Sequence, residues 1–187
     1  MTKRERNLLL LLLGVAGAGA WFYFTQSGRA LVRSASETVS TGVEKLADLT
    51  NSTLNLIKKF ESFSATPYPD ARGWSIGYGH YMGPQPTMQT ISESQAYDTL
   101  RDDAQTAADA VRASVAVPLN QNQFDALVSL AYNIGASAFK NSTLVRRLNA
   151  GDYDGAAAQF AVWRKSNGSI NPTLVTRRAQ EKGVFQS

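Results

Sequence analysis

The chain has 187 residues, is 43% hydrophobic and 18% charged, and carries a formal net charge of +4, which allows one domain with a real core plus an appendage. The absence of cysteine excludes disulfides, thiol nucleophiles and cysteine zinc sites, and a single histidine, His80, leaves no His-based metal centre. The basic balance suits an anionic membrane or cell-wall surface, but the lysines and arginines are scattered rather than interleaved with aromatics, which argues against nucleic acid.

The N-terminus, MTKRER, is a short positive head, and residues 8–24, LLLLLLGVAGAGAWFYF, follow without a charge. Seventeen apolar residues lie at the lower limit of a membrane span, where about 20 is typical. Three readings fit. A cleaved signal peptide would use the small residues Ala16 to Ala20. A permanent anchor would place Trp21, Phe22, Tyr23 and Phe24 at the outer interface. A temporary anchor would exploit the weak apolar drive of its glycines and alanines. The four bulky aromatics favour an uncleaved anchor, and Lys3, Arg4 and Arg6 hold the N-terminus in the cytoplasm. Everything after residue 25 then lies outside. Residues 25–50 are rich in Ser, Thr and Ala, with Val39, Val43, Leu46 and Leu49 at helical spacing, and read as a helical stalk or linker. Residues 51–187 form the globular domain.

That domain opens with a helix capped by Asn51 or Ser52 and carrying Leu54, Ile57 and Phe60, with Glu61 at its C-terminal end. A carboxylate there meets the negative end of the helix dipole, a disposition suited to a proton donor. Pro67 and Pro69 bar a helix, and Asp70-Ala71-Arg72-Gly73 reads as a turn. Trp74, Ile76, Tyr78 and His80 then alternate with Ser75, Gly77 and Gly79, which predicts one short strand with a bulky face and a bare face. The bare face would admit a ligand or a close-packed segment, and His80 would pair with a carboxylate.

From there the chain reads as all helix. Ser92 to Gln95 is a capping box opening a helix that ends before Pro118. Asn120 to Gln123 repeats that logic for a strongly apolar helix ending at Gly135, with Asn133 near its end, capping the terminus or facing a cleft. Ser142 opens a further helix, another carries Ala157, Phe160 and Trp163, and Asn171-Pro172 opens the last, which holds Arg177 and Arg178 and ends near Gly183. The paired arginines read as a solvated face.

The block from Glu61 to His80 resembles the phage-type lysozymes, glycoside hydrolase family 24, also called endolysins or muramidases. The family's pattern is Glu, eight residues, Asp, about five residues, Thr, then I-G-x-G-H. Glu61 and Asp70 keep the first spacing, and Ser75-Ile76-Gly77-Tyr78-Gly79-His80 matches the end. The stretch LNQNQFDALVSLAYNIGASAFKNSTLVRRLNAGDY is also similar to the family's central helix and following turn. The gap from Asp70 to the hydroxyl is one residue shorter than the family's, and serine replaces threonine.

The resemblance implies an α+β, two-lobed lysozyme-like fold, with a small β-hairpin lobe joined by a long helix to a mostly helical lobe, and the apolar run 8–24 would precede it as an N-terminal transmembrane helix. It implies hydrolysis of the β-1,4 bond between N-acetylmuramic acid and N-acetylglucosamine in peptidoglycan, with no metal or organic cofactor. Glu61 would be the general acid, and Asp70 with Ser75 would position water. Asn133 and Arg178 would contact the glycan, and Gly77, Gly79 and His80 would be structural near the site. The partners would be peptidoglycan glycan strands and, through residues 8–24, a host inner membrane with the catalytic domain in the periplasm, or a virion membrane. A lytic transglycosylase and a non-catalytic wall-binding protein are the alternatives.

Overall fold

The structure, a computed structural model, describes residues 48–70 and 73–187. The expected membrane helix, residues 25–47 of the expected stalk, and turn residues 71 and 72 lie outside the described residues. Among those described, no helix is long and apolar enough to cross a membrane.

The first helix, α1 (Asn51–Lys58), starts one residue earlier than its expected caps, because Thr50 and Thr53 form a reciprocal capping box. Leu54 and Ile57 bury its inner face, each worth about 1.5–3 kcal/mol. Thr53 Oγ1 donates to Asp125 Oδ1 at 2.6 Å, and Gln121 Nε2 donates to the same oxygen at 2.7 Å. Asp125 is buried in α3 (Gln121–Ile134), so this bond ties the start of α1 to the central helix. A hydrogen bond to a carboxylate contributes about 1.5–3 kcal/mol, and here it fixes the element that delivers Glu61.

Three antiparallel strands follow in the order β1 (Ser64–Asp70), β2 (Gly73–Gly77) and β3 (His80–Gly83). The single strand expected from the alternation through His80 is instead two. Gly77 and Gly79 both adopt positive φ, and Ile76 pairs with His80 across the turn they make. Gly77 also faces α2 (Glu93–Ser114): a β-carbon there would sit 3.0 Å from that of Ala96. Close packing, rather than ligand access, accounts for this glycine.

At 22 residues α2 is about 33 Å long, enough to run from the sheet to the helical lobe. Ala96, Leu100, Ala104, Ala107, Ala108 and Val111 form its buried stripe, and the alanines let α3 approach closely. In α3 every residue from Phe124 to Ala131 is buried, which makes it the centre of the core. Around it lie α4 (Ala136–Lys140), α5 (Thr143–Asn149), α6 (Tyr153–Gln159) with a 3-10 turn at Phe160–Val162, and α7 (Pro172–Phe185). Asn171 caps α7 with Pro172 at its first turn, as the sequence indicates.

The stretch after Asn120 is not all helix. A two-stranded hairpin, β4 (Lys165–Ser166) and β5 (Ser169–Ile170), stands between the 3-10 turn and α7. Asn167 and Gly168 at its tip both have positive φ, the geometry for which Asn-Gly is a strong signal.

Candidate functional site

Beyond α1 the backbone tightens to i→i+3 bonds, with Phe60 N donating to Ile57 O and Glu61 N to Lys58 O. This leaves Glu61 just past the helix end, its side chain 22% exposed. Tyr68 and Asp70 come from β1, Tyr132 from α3, and Arg177 from α7.

The two-residue connection between Asp70 and Gly73 resolves the unusual spacing. Asp70 pairs with Gly73 and Tyr68 with Ser75, so Tyr68, Asp70 and Ser75 share one face of the ribbon. Ser75 Oγ donates to Asp70 Oδ2 at 3.0 Å. Gly73 sits against β3, where a β-carbon would collide with the carbonyl oxygen of Gly83, so only glycine fits there. Ser75 is buried rather than on an open face, so its hydroxyl supports the carboxylate from beneath.

Gly79 lies beside Glu61 and two tyrosines. A β-carbon there would stand 3.6 Å from Glu61 Oε2, 3.9 Å from the Tyr68 hydroxyl and 4.0 Å from the Tyr132 hydroxyl, so these three groups converge on one point. Tyr132 donates to the carbonyl of Tyr78 at 2.9 Å. Burial, then the negative charge of Glu61, pushes its phenol far up. Burial followed by the charges of Glu61 and Asp70 also raises the Tyr68 phenol. Both therefore remain protonated donors at neutral pH. Behind them His80 Nδ1 lies 2.8 Å from Asp103 Oδ2, which pins β3 to α2.

The arginines are placed differently from the solvated face read in the sequence. Arg177 Nη1 donates to Glu61 Oε1 at 2.6 Å, its Nε to Glu181 Oε1 at 3.0 Å and its Nη2 to the carbonyl of Ser129 at 3.3 Å. Arg178 is buried too: its Nη2 donates to Glu181 Oε1 at 3.0 Å, and its Nε stands 2.8 Å from Glu181 Oε2. Arg178 therefore offers no surface to a glycan, and the expectation of a substrate contact there is corrected. Its neighbour Arg177 is the arginine that reaches the site. Asn133 is exposed on the last turn of α3, next to Tyr132.

Tyr68, Tyr132, Arg177 and Glu181 were not anticipated as site residues. For Glu181 a signal existed, since it lies three and four residues after two arginines on one helix. Among the described residues no three of His, Cys, Asp and Glu gather to hold a metal ion. The arrangement offers two carboxylates, one held by a guanidinium and the other by a hydroxyl, with two phenols as neutral donors.

Comparison with known proteins gives a consistent result. Residues 58–181 match the family described as Phage lysozyme. The chain is 47% identical over 137 residues to an endolysin of Bacillus phage PZA, covering 72% of this chain and 53% of that protein. It thus spans about half the length of the first curated relatives it matches. The endolysin of Salmonella phage P22 is 37% identical over 147 residues, covering 76% of this chain and 100% of that protein. The SAR-endolysin of Enterobacteria phage P21 is 33% identical over 125 residues, covering 66% of this chain and 76% of that protein. Among solved structures, the muramidase domain of SpmX from Asticaccaulis excentricus superposes with a TM-score of 0.67 at 36% identity, covering 75% of this chain and 98% of that domain.

Proposed function

The chain belongs to the phage lysozyme family, and from that premise we propose that it is a peptidoglycan muramidase of the endolysin kind, hydrolysing the β-1,4 bond between N-acetylmuramic acid and N-acetylglucosamine. The observation that carries this reading is the Ser75–Asp70 hydrogen bond on the ribbon whose Tyr68 converges with Glu61 at Gly79. Glu61 protonates the leaving glycosidic oxygen. Asp70 stabilises developing oxocarbenium charge and orients water, which Ser75 helps to hold. With Asp70 activating a water rather than bonding to the sugar, the reaction inverts the anomeric centre. Asn133, exposed beside Tyr132, is the remaining candidate for a glycan contact.

Two neighbouring readings are separated by products. A lytic transglycosylase needs the acid but no positioned water, so the Asp70–Ser75 pair weighs against it. A silent wall-binding protein drew its support from the shortened turn at 70–75, and that turn still brings the hydroxyl to the carboxylate. Digestion of purified cell walls is expected to yield reducing sugar ends. Anhydro ends would mean transglycosylation, and binding without release of soluble fragments would mean a silent scaffold.

The uncharged stretch 8–24 and the resemblance to proteins named SAR-endolysin support a membrane-tethered start with the catalytic domain on the periplasmic side of the host inner membrane. A glycine- and alanine-rich anchor binds the bilayer weakly enough to leave it. Collapsing the membrane potential is then expected to move the protein from the membrane fraction to a soluble, active pool. Retention in the membrane fraction would favour a permanent anchor, as in a virion membrane.

A further inference from the structure

Glu181 is fully buried and touches nothing a substrate could reach, yet it stands one side chain behind Glu61. Arg177 lies between them, Nη1 on Glu61 Oε1 at 2.6 Å and Nε on Glu181 Oε1 at 3.0 Å. One guanidinium thus serves two carboxylates. The same Glu181 oxygen also receives Ser129 Oγ at 2.7 Å and Arg178 Nη2 at 3.0 Å. Each of those donors takes up negative charge that Glu181 would otherwise turn on Arg177. We propose that Glu181 is a positioning residue which shares Arg177 with Glu61 and thereby sets how firmly the resting site holds the Glu61 carboxylate.

A group that donates a proton must first carry one, and a guanidinium at 2.6 Å opposes that. A second carboxylate on the same guanidinium offsets it. Burial pushes the Glu181 carboxyl up, while Arg178, Arg177 and the Ser129 hydroxyl oppose the rise. Burial lowers the Arg178 guanidinium to about 10, which leaves it a cation at neutral pH. Other groups also face Glu61. Tyr68 does so from β1, Tyr132 from α3 and Arg178 from α7, all through space, and Asp70 bears on Tyr68 in turn. Lys58 on its own helix turns instead toward Tyr78 and Glu93. None of these contacts is removed by changing Glu181 or Ser129, so a response of Glu61 to either change runs through Arg177 and the charge of Glu181.

The inference rests on Glu61 being the acid, and its test reads Glu61 itself. Glutamate in the full chain is labelled with carbon-13 at the carboxyl, and the Glu61 signal is assigned by its loss in Glu61→Gln. Removing the charge in Glu181→Gln gives Arg177 wholly to Glu61, so the midpoint of the Glu61 signal is expected to move to lower pH. The alkaline limb of the activity profile should fall with it. Ser129→Ala removes a donor from Glu181, which then pulls harder on Arg177, so the midpoint is expected to rise by a smaller amount. A purely structural role would lower the melting temperature of both variants and leave the Glu61 midpoint in place, and that result overturns the proposal. Should Glu181→Gln not fold, Ser129→Ala decides alone: an alkaline shift supports the proposal, and no shift or an acid shift sinks it. If the midpoints move as expected while Glu61→Gln still clears walls, the coupling stands and the assignment of Glu61 as acid falls.

Discussion

Glu61→Gln is expected to reduce clearing of purified cell walls by at least about a hundredfold, the scale of a lost general acid, while the protein keeps its fold. The leaving glycosidic oxygen is a poor leaving group without a proton, and the other groups that converge with Glu61 at Gly79 are phenols. Tyr68 and Tyr132 converge on the same point, but burial and the neighbouring charges hold their protons too tightly for them to substitute. The glutamine is close to isosteric, and its carbonyl oxygen can still accept from Arg177 Nη1. Arg177 itself stays anchored by Glu181 and by the Ser129 carbonyl, so no buried cation is stranded. Breaking one side of a buried ion pair typically costs about 3–5 kcal/mol, but here the cation keeps its more deeply buried partner, so a small loss is expected. Turbidity loss and thermal unfolding measured on the same preparation check both halves. Substantial retained clearing by a folded variant would remove Glu61 from the mechanism.

Much of this architecture was legible because it is written in local signals. Ser92 with Gln95, Asn120 with Gln123, Ser142, and Asn171 with Pro172 mark helix starts by the hydrogen bonds their side chains can make, and each helix begins where they stand. The spacing of Glu61, Asp70 and Ser75 was equally plain, since a turn of fixed length leaves few registers. What the sequence hid were rotations and long-range partners. Arg177 and Arg178 are adjacent, so about 100° of helix rotation separates them, and only tertiary packing decides which reaches Glu61. Here both turn inward, because Glu181 on the same helix and Ser129 on α3 supply the acceptors that let two cations be buried. The alternation through Tyr78 misread a hairpin as a strand, because a turn made of Gly77-Tyr78-Gly79 keeps the period of two while reversing the chain. The Asn167-Gly168 hairpin carried its own signal and was passed over within a region of strong helical caps.

Asp70 and Ser75 are expected to act as one unit. Asp70→Asn should lower wall hydrolysis about a hundredfold, since an amide neither takes a proton from water nor offsets the developing oxocarbenium charge. Ser75→Ala should cost about tenfold, the value of one hydrogen bond to a charged group. The asparagine carbonyl still accepts from Ser75 Oγ, so the ribbon from Tyr68 to Ser75 is expected to keep its register and the loss is chemical rather than structural. The double variant decides between two arrangements. If the hydroxyl works only by holding the carboxylate and its water, removing it after Asp70 is already an amide takes little more away. The double variant then falls about as far as Asp70→Asn alone, well short of the product of the two single losses. Full multiplication of the two losses would show Ser75 acting on the substrate independently, a role its burial beneath Asp70 argues against. The anomer released by the parental enzyme, followed by proton NMR before mutarotation, completes the assignment. An inverted product places a water on the Asp70 side, whereas retention would require Asp70 to bond to the sugar, and its hydrogen bond from Ser75 would then weaken rather than assist the attack.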